Sequence, residues 1–325
     1  MLSSHYGLVN PEITALEGYA NPNYKVVMPD ASQFVLKKYV HEQGLAEVLQ
    51  AECEVLDAVS RQLPGKFPEP IITKEQKHLV YPDKQGEGLY RLLRWLNGDF
   101  LYMVPHTPEM LASLGRLLAM LDIQLMKEHH PALIGRRMDW DLQRLPFLRK
   151  KLELIRTPEV KRVVHYFMLQ FQEEVVPVLP QLRHSLIHND ANDWNVLVEN
   201  DRVKGIIDFG DMVYGPLIQD LAVCLTYALF DKDDPLKWAV YVLEGYHEVL
   251  PLEKRELDIL YFLVAGRLCM SLLNAAASKA ADPDNEYLGV SEQQALALIN
   301  QWLGINPLRA RAEFYRACKL EPGDQ

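Results

Sequence analysis

The chain has 325 residues, which at roughly 150 residues per domain predicts two domains or one two-lobed unit. Hydrophobic residues make up 49% and charged residues 24%, and 34 basic against 44 acidic side chains leave a net charge of −10. That balance argues against non-specific nucleic-acid binding, which needs a basic face to release counterions, but it leaves room for a local cluster of phosphate-binding donors.

Short β-rich runs alternate with turns from about Tyr24 to Leu96. Val26-Val27-Met28, Phe34-Val35-Leu36, His78-Leu79-Val80-Tyr81 and Tyr90-Arg91-Leu92-Leu93 read as strands, with Pro29-Asp30 and Pro82 to Gly86 as turns. Between them, Leu45, Val48, Leu49, Leu56 and Val59 carry helical spacing over Leu45 to Ser60, ending near Leu63-Pro64-Gly65. After Asn97-Gly98 the pattern turns helical: Pro108 to Lys127, Glu159 to Val176, Pro235 to Val249, Leu257 to Ala277 and Ser291 to Leu303. Three short strands interrupt it, Ser185 to Ile187, Val196 to Val198 and Val203 to Ile207, with Asn200-Asp201 as the turn between the last two. The order predicts an α+β fold: a small sheet lobe with one helix, a connector, and a larger helical lobe. A cleft between two such lobes is where small ligands usually bind.

Cys53, Cys224, Cys269 and Cys318 are too widely spaced for a CxxC pair. They predict neither a zinc ribbon nor a disulfide scaffold, and a reducing, cytoplasmic setting. Met1 to Pro11 lacks a basic segment followed by an apolar run, so no signal peptide is expected. The most apolar stretch, Ile259 to Asn274, is broken by Arg267 and reads as a buried helix rather than a membrane span.

The densest signal is His188-Asn189-Asp190-Ala191-Asn192-Asp193-Trp194-Asn195, followed by Ile206-Ile207-Asp208-Phe209-Gly210-Asp211. Thirteen residues from Asn195 to Asp208 leave room for two short strands and a turn, which would return Asp208 beside Asn195. Phosphoryl transfer has physical use for this set. The phosphates carry concentrated negative charge, and magnesium offsets it while binding carboxylate and amide oxygens, here those of Asp208 and Asn195. Asp190 can orient an attacking hydroxyl and accept its proton. His188 reads as a structural residue holding the loop to the backbone near Asp208.

This H-x-D-x-x-x-x-N plus D-F-G pattern resembles the protein-kinase-like fold, and in detail its aminoglycoside phosphotransferase and choline kinase superfamily. Asn189 stands where that superfamily usually has glycine. The resemblance implies residues 1–97 as a nucleotide-binding lobe and hinge, and residues 98–325 as a helical lobe with the catalytic and metal-binding loops. It also implies a strand lysine paired with a helix glutamate. Lys37 ends an apolar strand, and Glu52 lies on the inward stripe with Val48 and Leu56. The segment from Leu16 to Val26 stands where a phosphate loop belongs, with a single glycine. In Leu92 to Gly98, which is similar to the superfamily hinge, main-chain groups of Arg94 and Leu96 would meet a purine, so ATP and GTP are not separated. Asp220, in a P-x-x-D-L-A-like segment, would open a helix and support the catalytic loop.

Only eight residues separate Asp211 from Asp220, too few for the activation segment of a peptide kinase. The implied acceptor is therefore a small hydroxyl compound, probed by acidic Asp193 and Asp211 if it bears an amine. Asp284 to Leu288 and the two loops resemble the hydroxylysine kinase-like group, in which Asn285, Glu286 and Tyr287 would shape the acceptor pocket. Homoserine, choline or ethanolamine, and aminoglycoside kinases share the mechanism. A non-catalytic nucleotide-binding module is the remaining alternative. No nucleic-acid or membrane partner is expected.

Overall fold

In the computed structural model, the described residues are 1–16, 21–40, 42–81, 88–281 and 291–321. The first unit is a five-stranded antiparallel sheet of order β1-β2-β3-β5-β4, formed by β1 (Glu12–Leu16), β2 (Asn23–Val27), β3 (Gln33–Tyr39), β4 (Pro70–Ile71) and β5 (Leu89–Arg94). The turn between β2 and β3 lies at Pro29-Asp30, where Asp30 Oδ1 accepts from Ser32 N at 3.0 Å and Ala31 takes a left-handed φ of 65°. One set of apolar side chains, Val26, Phe34, Leu36 and Leu92, packs with the N-terminal Leu2. Another, Tyr39 and Leu89, packs with Leu49 and Cys53 of α1 (Leu45–Gln62). Burial of these stripes places α1 beside the sheet, and the helix closes at Leu63 as its sequence predicts.

Two expectations differ. His78 to Tyr81 forms a single bridge, Val80 to Tyr90, rather than a strand. Its partner strand is already engaged farther along by β4, which pairs Pro70 with Leu93 and Ile71 with Leu92. β1, Glu12–Leu16, lies before the β-rich run read from Tyr24 onward; it is short and its side chains are almost all exposed. The expected turn at Pro82 to Gly86 lies outside the described residues.

The larger unit contains α2 (Pro108–Leu125), α3 (Pro131–Ile134), α4 (Pro158–Gln170), α5 (Leu217–Ala228), α6 (Pro235–Val249), α7 (Lys254–Ala281), α8 (Glu292–Leu303) and α9 (Pro307–Ala317). Residues Leu142–Leu154 wind as 3₁₀ turns around Pro146, which cannot donate to an α-helical ladder. Helix α7 is the axis: α4, α5, α8 and α9 pack around it. It is long and apolar enough to cross a membrane by composition, yet 83% of its apolar window is buried inside the protein, as expected of a core helix. All four cysteines are free and buried.

Helices α2 and α6 cross at glycines on both sides. A Cβ on Gly115 would sit 2.0 Å from the Val242 carbonyl oxygen, and one on Gly245 would sit 2.0 Å from that of Ala112. Backbone is therefore in contact with backbone, and no side-chain rotation relieves an added methyl. Gly245→Ala is expected to cost at least about 1–3 kcal/mol by overpacking. Gly135→Ala, whose nearest contact is at 3.5 Å with no positive φ, serves as the near-neutral control. Denaturant melts of the two variants decide this: equal midpoints would remove the crossing from the account.

Candidate active site

Strand β7 (His184–Ile187) pairs with β10 (Val213–Pro216) and delivers the chain into the loop 188–195. From there β8 (Val196–Glu199) and β9 (Arg202–Ile206) form a hairpin, joined by β6 (Asp99–Phe100) at the edge. Asn200 and Asp201 both take positive φ, 52° and 59°, the geometry of a tight hairpin turn. The return is closed by two bonds: Ile207 N donates to Asn195 O at 2.8 Å, and His188 Nε2 lies 3.1 Å from Ile207 O. Asp208 thus comes back beside Asn195 across the hairpin.

The loop's shape depends on Asn189, which takes φ of 66°. Glycine adopts that region freely and asparagine is among the few other residues that tolerate it. Here the side chain is used as well. Its Nδ2 donates to Asp211 O at 3.2 Å, and its Oδ1 accepts from Gln219 Nε2 at 2.9 Å. The asparagine therefore replaces glycine with compensating hydrogen bonds in a fully buried position.

Asp220, in the first turn of α5, accepts from His188 N at 2.9 Å and from Asn189 N at 2.7 Å. The N-cap of α5 is Pro216 with no side-chain bond, so Asp220 supports the loop rather than capping its own helix. Burial pushes this carboxyl upward, opposed by His188 and the two amides.

Asp190 lies at the centre of a ring of donors. Asn192 Nδ2 is 3.0 Å from both carboxylate oxygens, Asn195 Nδ2 is 2.8 Å from Oδ2, and Arg267 Nη2 is 3.1 Å from Oδ1. Burial raises its pKa, the nearby Asp211 and Asp208 add to that, and Arg267 opposes it. Asn195 Nδ2 also donates to Asp190 O at 2.9 Å. With the amide nitrogen committed to Asp190, the Asn195 Oδ1 is the atom turned to other use.

Lys37 on β3 reaches across from the sheet to Asp208, Nζ to Oδ1 at 2.7 Å. Burial works against the Asp208 charge, but the charge and hydrogen bond of Lys37 outweigh it, and the carboxyl is held at about 2. The expected Lys37–Glu52 pair is not formed. Glu52 is buried on α1 as its spacing predicts, but its partners are Arg91 Nη1 at 2.7 Å and Arg136 Nη1 at 3.1 Å. Arg91 faces Lys37 across β3 and β5 in the strand register. A buried guanidinium has the stronger need for a fixed carboxylate, because it is fully desolvated and cannot lose its proton.

In the connector, Arg94 N donates to Glu69 O at 2.8 Å, so that amide is already engaged. The Arg94 side chain pairs with Glu69 at 2.6 Å. Leu96, past the end of β5, makes no main-chain hydrogen bond among the described residues and is the position left open to a ligand. Asp211 sits near the base, with electrostatic coupling to Arg267 and Asp208 after burial as its first influence. Asp193 is buried, and burial raises its carboxyl to about 6. Glu286 lies outside the described residues, as does much of the expected phosphate loop at residues 17–20.

Sequence reasoning missed Asn192, Arg91, Arg136 and Arg267 as members of the site. Asn192 stood inside the motif, and Arg267 was visible as a charge inside an apolar run. Arg91 and Arg136 had no local signal.

Comparison with known proteins agrees with this geometry. Residues 12–259 match the phosphotransferase enzyme family (APH) model. The chain is 30% identical to a hydroxylysine kinase of Danio rerio over 306 residues, covering 90% of this chain and 86% of that protein. It is 28% identical to a homoserine kinase of Bartonella henselae, covering 84% of this chain and 80% of that one. Among solved structures, an amicoumacin kinase in complex with AMP-PNP and Ca2+ aligns with a TM-score of 0.67 at 16% identity, covering 96% and 90% of the two chains. The family match and the placement of Asp190, Asn195 and Asp208 lead to one conclusion: the chain belongs to the phosphotransferase enzyme family, as a kinase that phosphorylates a hydroxyl group of a small molecule.

Proposed function

We propose that the protein transfers the γ-phosphoryl group of ATP or GTP to the hydroxyl of an amino acid or amino alcohol, with hydroxylysine as the favoured acceptor. The observation that carries this reading is the Asp190 carboxylate, fixed by Asn192, Asn195 and Arg267 one hairpin away from Asp208. Resemblance to a hydroxylysine kinase over 90% of the chain supports the acceptor class. The homoserine kinase relative makes homoserine the second candidate.

Asp190 accepts a hydrogen bond from the acceptor hydroxyl and aligns its oxygen with the γ-phosphorus. As the new O–P bond forms, the bond to the bridging oxygen of the nucleotide breaks, and the nucleoside diphosphate leaves. The hydroxyl proton passes to Asp190. Lys37 exchanges its bond to Asp208 for the nucleotide phosphates, where its point charge offsets theirs.

A divalent cation fits the residues present. Asp208 is half exposed and already holds a cation, the Lys37 ammonium, and Asn195 Oδ1 is the free end of an amide whose nitrogen is engaged. Among the described residues no cluster of three His, Cys, Asp or Glu forms a closed metal cage. That suits magnesium, which is commonly held by one or two protein oxygens together with substrate phosphates and water. When bound at Asp208 and Asn195 it would neutralise phosphate charge.

Release of nucleoside diphosphate with magnesium, run with ATP and GTP in parallel against hydroxylysine, homoserine, ethanolamine, choline, methylthioribose and an aminoglycoside, tests the reading. Asp190→Asn is expected to lower kcat by about 10²–10⁴-fold while leaving nucleotide affinity nearly intact. Undiminished turnover in that variant would remove Asp190 from its role. Asp208→Ala is expected to raise the magnesium concentration needed for half-maximal rate, if any rate remains.

The separate partners of Lys37 and Glu52 yield a second contrast. Glu52→Gln strips the counter-charge from two guanidiniums and is expected to destabilise the fold by about 3–5 kcal/mol. Lys37→Met should leave the melting temperature nearly unchanged and weaken nucleotide binding. Comparable destabilisation by both variants would mean that the two residues pair with each other in solution.

A further inference from the structure

Besides the Lys37–Asp208 bond, a second polar route links the sheet to the segment 208–212. It starts at Arg91, which faces Lys37 across the β3–β5 register. Arg91 Nη1 lies 2.7 Å from Glu52 Oε2 on α1. The other oxygen of Glu52, Oε1, accepts from Arg136 Nη1 at 3.1 Å, and the same Nη1 donates to Met212 O at 3.3 Å. Met212 follows Asp208 in the same short segment and stands immediately before β10. Arg136 comes directly after α3 and Gly135, and its own amide donates to Leu133 O at 3.2 Å. Helix α3 packs on both α1 and β10, so the Arg136 side chain bridges two elements that its backbone already lies between. The Glu52 side chain is 1% exposed and that of Arg136 is 17% exposed, so water competes little for these bonds.

We infer that Arg136 is a positioning residue for the phosphoryl transfer: it holds the segment 208–212 to α1, and through Glu52 and Arg91 to the sheet, when Lys37 has left Asp208 for the nucleotide. The inference rests on the kinase reading above, in which Lys37 makes that exchange. Once Lys37 turns to the phosphates, its bond to Asp208 no longer fixes the distance between strand and segment. The chain Arg91–Glu52–Arg136–Met212 joins the same two pieces and includes neither Lys37 nor Asp208, so it persists through the exchange. Its last link is to a main-chain oxygen, which leaves the Asp208 carboxylate open to a cation. Both bonds of Arg136 come from one nitrogen, so the place calls for a cationic donor rather than for a planar fork.

Hydrogen exchange and kinetics of Arg136 variants test this. Arg136→Met keeps the aliphatic stem and removes the donors, and Lys37→Met cuts the first route without any nucleotide. In the Lys37→Met background, adding Arg136→Met is expected to speed amide exchange of peptides covering residues 208–213 by about 10-fold or more, the worth of a charge-assisted hydrogen bond. In the otherwise wild-type enzyme, Arg136→Met is expected to lower kcat by on the order of 10–10²-fold through misplacement of the segment, with KM for the acceptor unchanged. Arg136→Lys, which offers its donors from one nitrogen, should restore both the protection and kcat. Glu54→Ala is the control: it removes the 3.4 Å contact of α1 with His130, another tie to the residues around α3, and should change neither. Parental exchange in the Arg136→Met protein would overturn the inference, as would equal acceleration by Glu54→Ala or a lysine variant that restores nothing. If Arg136→Met does not fold, Arg136→Gln takes its place in the same comparison. No turnover with any acceptor would be a failure of the kinase reading, whereas unchanged exchange with turnover intact would be a failure of this inference alone.

Discussion

The loop 188–195 is anchored at its start by one buried carboxylate. Asp220 offers its two oxygens to the amides of His188 and Asn189, and both bonds can form only if the chain turns left-handed at Asn189. That turn aims the His188 ring back at Ile207 O and leaves Asp190 at the rim of the cleft. Asp220 thus fixes the residues that lead into Asp190, while the His188 ring ties them to the backbone next to Asp208. Behind Asp220 lies a second buried carboxyl: burial, then the charge of Asp220, pushes Asp122 well above the usual carboxylate range. Tyr246 donates to Asp122 Oδ2 at 2.5 Å. That bond ties α2 to α6 where the two helices cross closely at Gly115 and Gly245.

Charge pairing between the sheet and the helical unit follows a different rule from the one the family pattern suggests. Two cations, Lys37 and Arg91, sit opposite each other on β3 and β5, and two carboxylates, Glu52 and Asp208, are within reach of that face. Arg91 is wholly desolvated and cannot shed its proton, so it takes the buried carboxylate, and Arg136 adds a second bond from the far side. Lys37 is left with the half-exposed Asp208. Lys37 is thereby paired with a carboxylate that is half open to solvent, while the buried carboxylate of Glu52 is shared by two guanidiniums.

Local features were legible in the sequence and long-range partners were not. The two-residue offset between His188 and Asp190, the five to Asn195 and the thirteen to Asp208 are enforced by backbone geometry within one hairpin, so spacing alone placed them. The inward face of Glu52 followed from helical period. Its partner did not, because Arg91 and Arg136 come from elements whose juxtaposition no local pattern encodes. Strand β1 is too short for its brief Glu12-Ile13-Thr14-Ala15 alternation to stand out, and His78 to Tyr81 was written as a strand because competition for one edge of β5 cannot be seen in a one-dimensional pattern. Asp193 looked like an exposed cleft carboxylate from its place in the motif, and it is buried, which a spacing pattern does not reveal.

Arg267 shows where a stronger sequence argument was available. A charged residue inside an otherwise apolar helix is either facing solvent or buried against a counter-charge, and the apolar residues on every side of Arg267 exclude the first. The physics then demands an acidic partner and further acceptors. The nearest acidic cluster that the motif defines is the catalytic loop itself. From composition and position alone, the arginine on the core helix points at the Asp190 carboxylate, and there it supplies the counter-charge, Nη2 to Oδ1 at 3.1 Å.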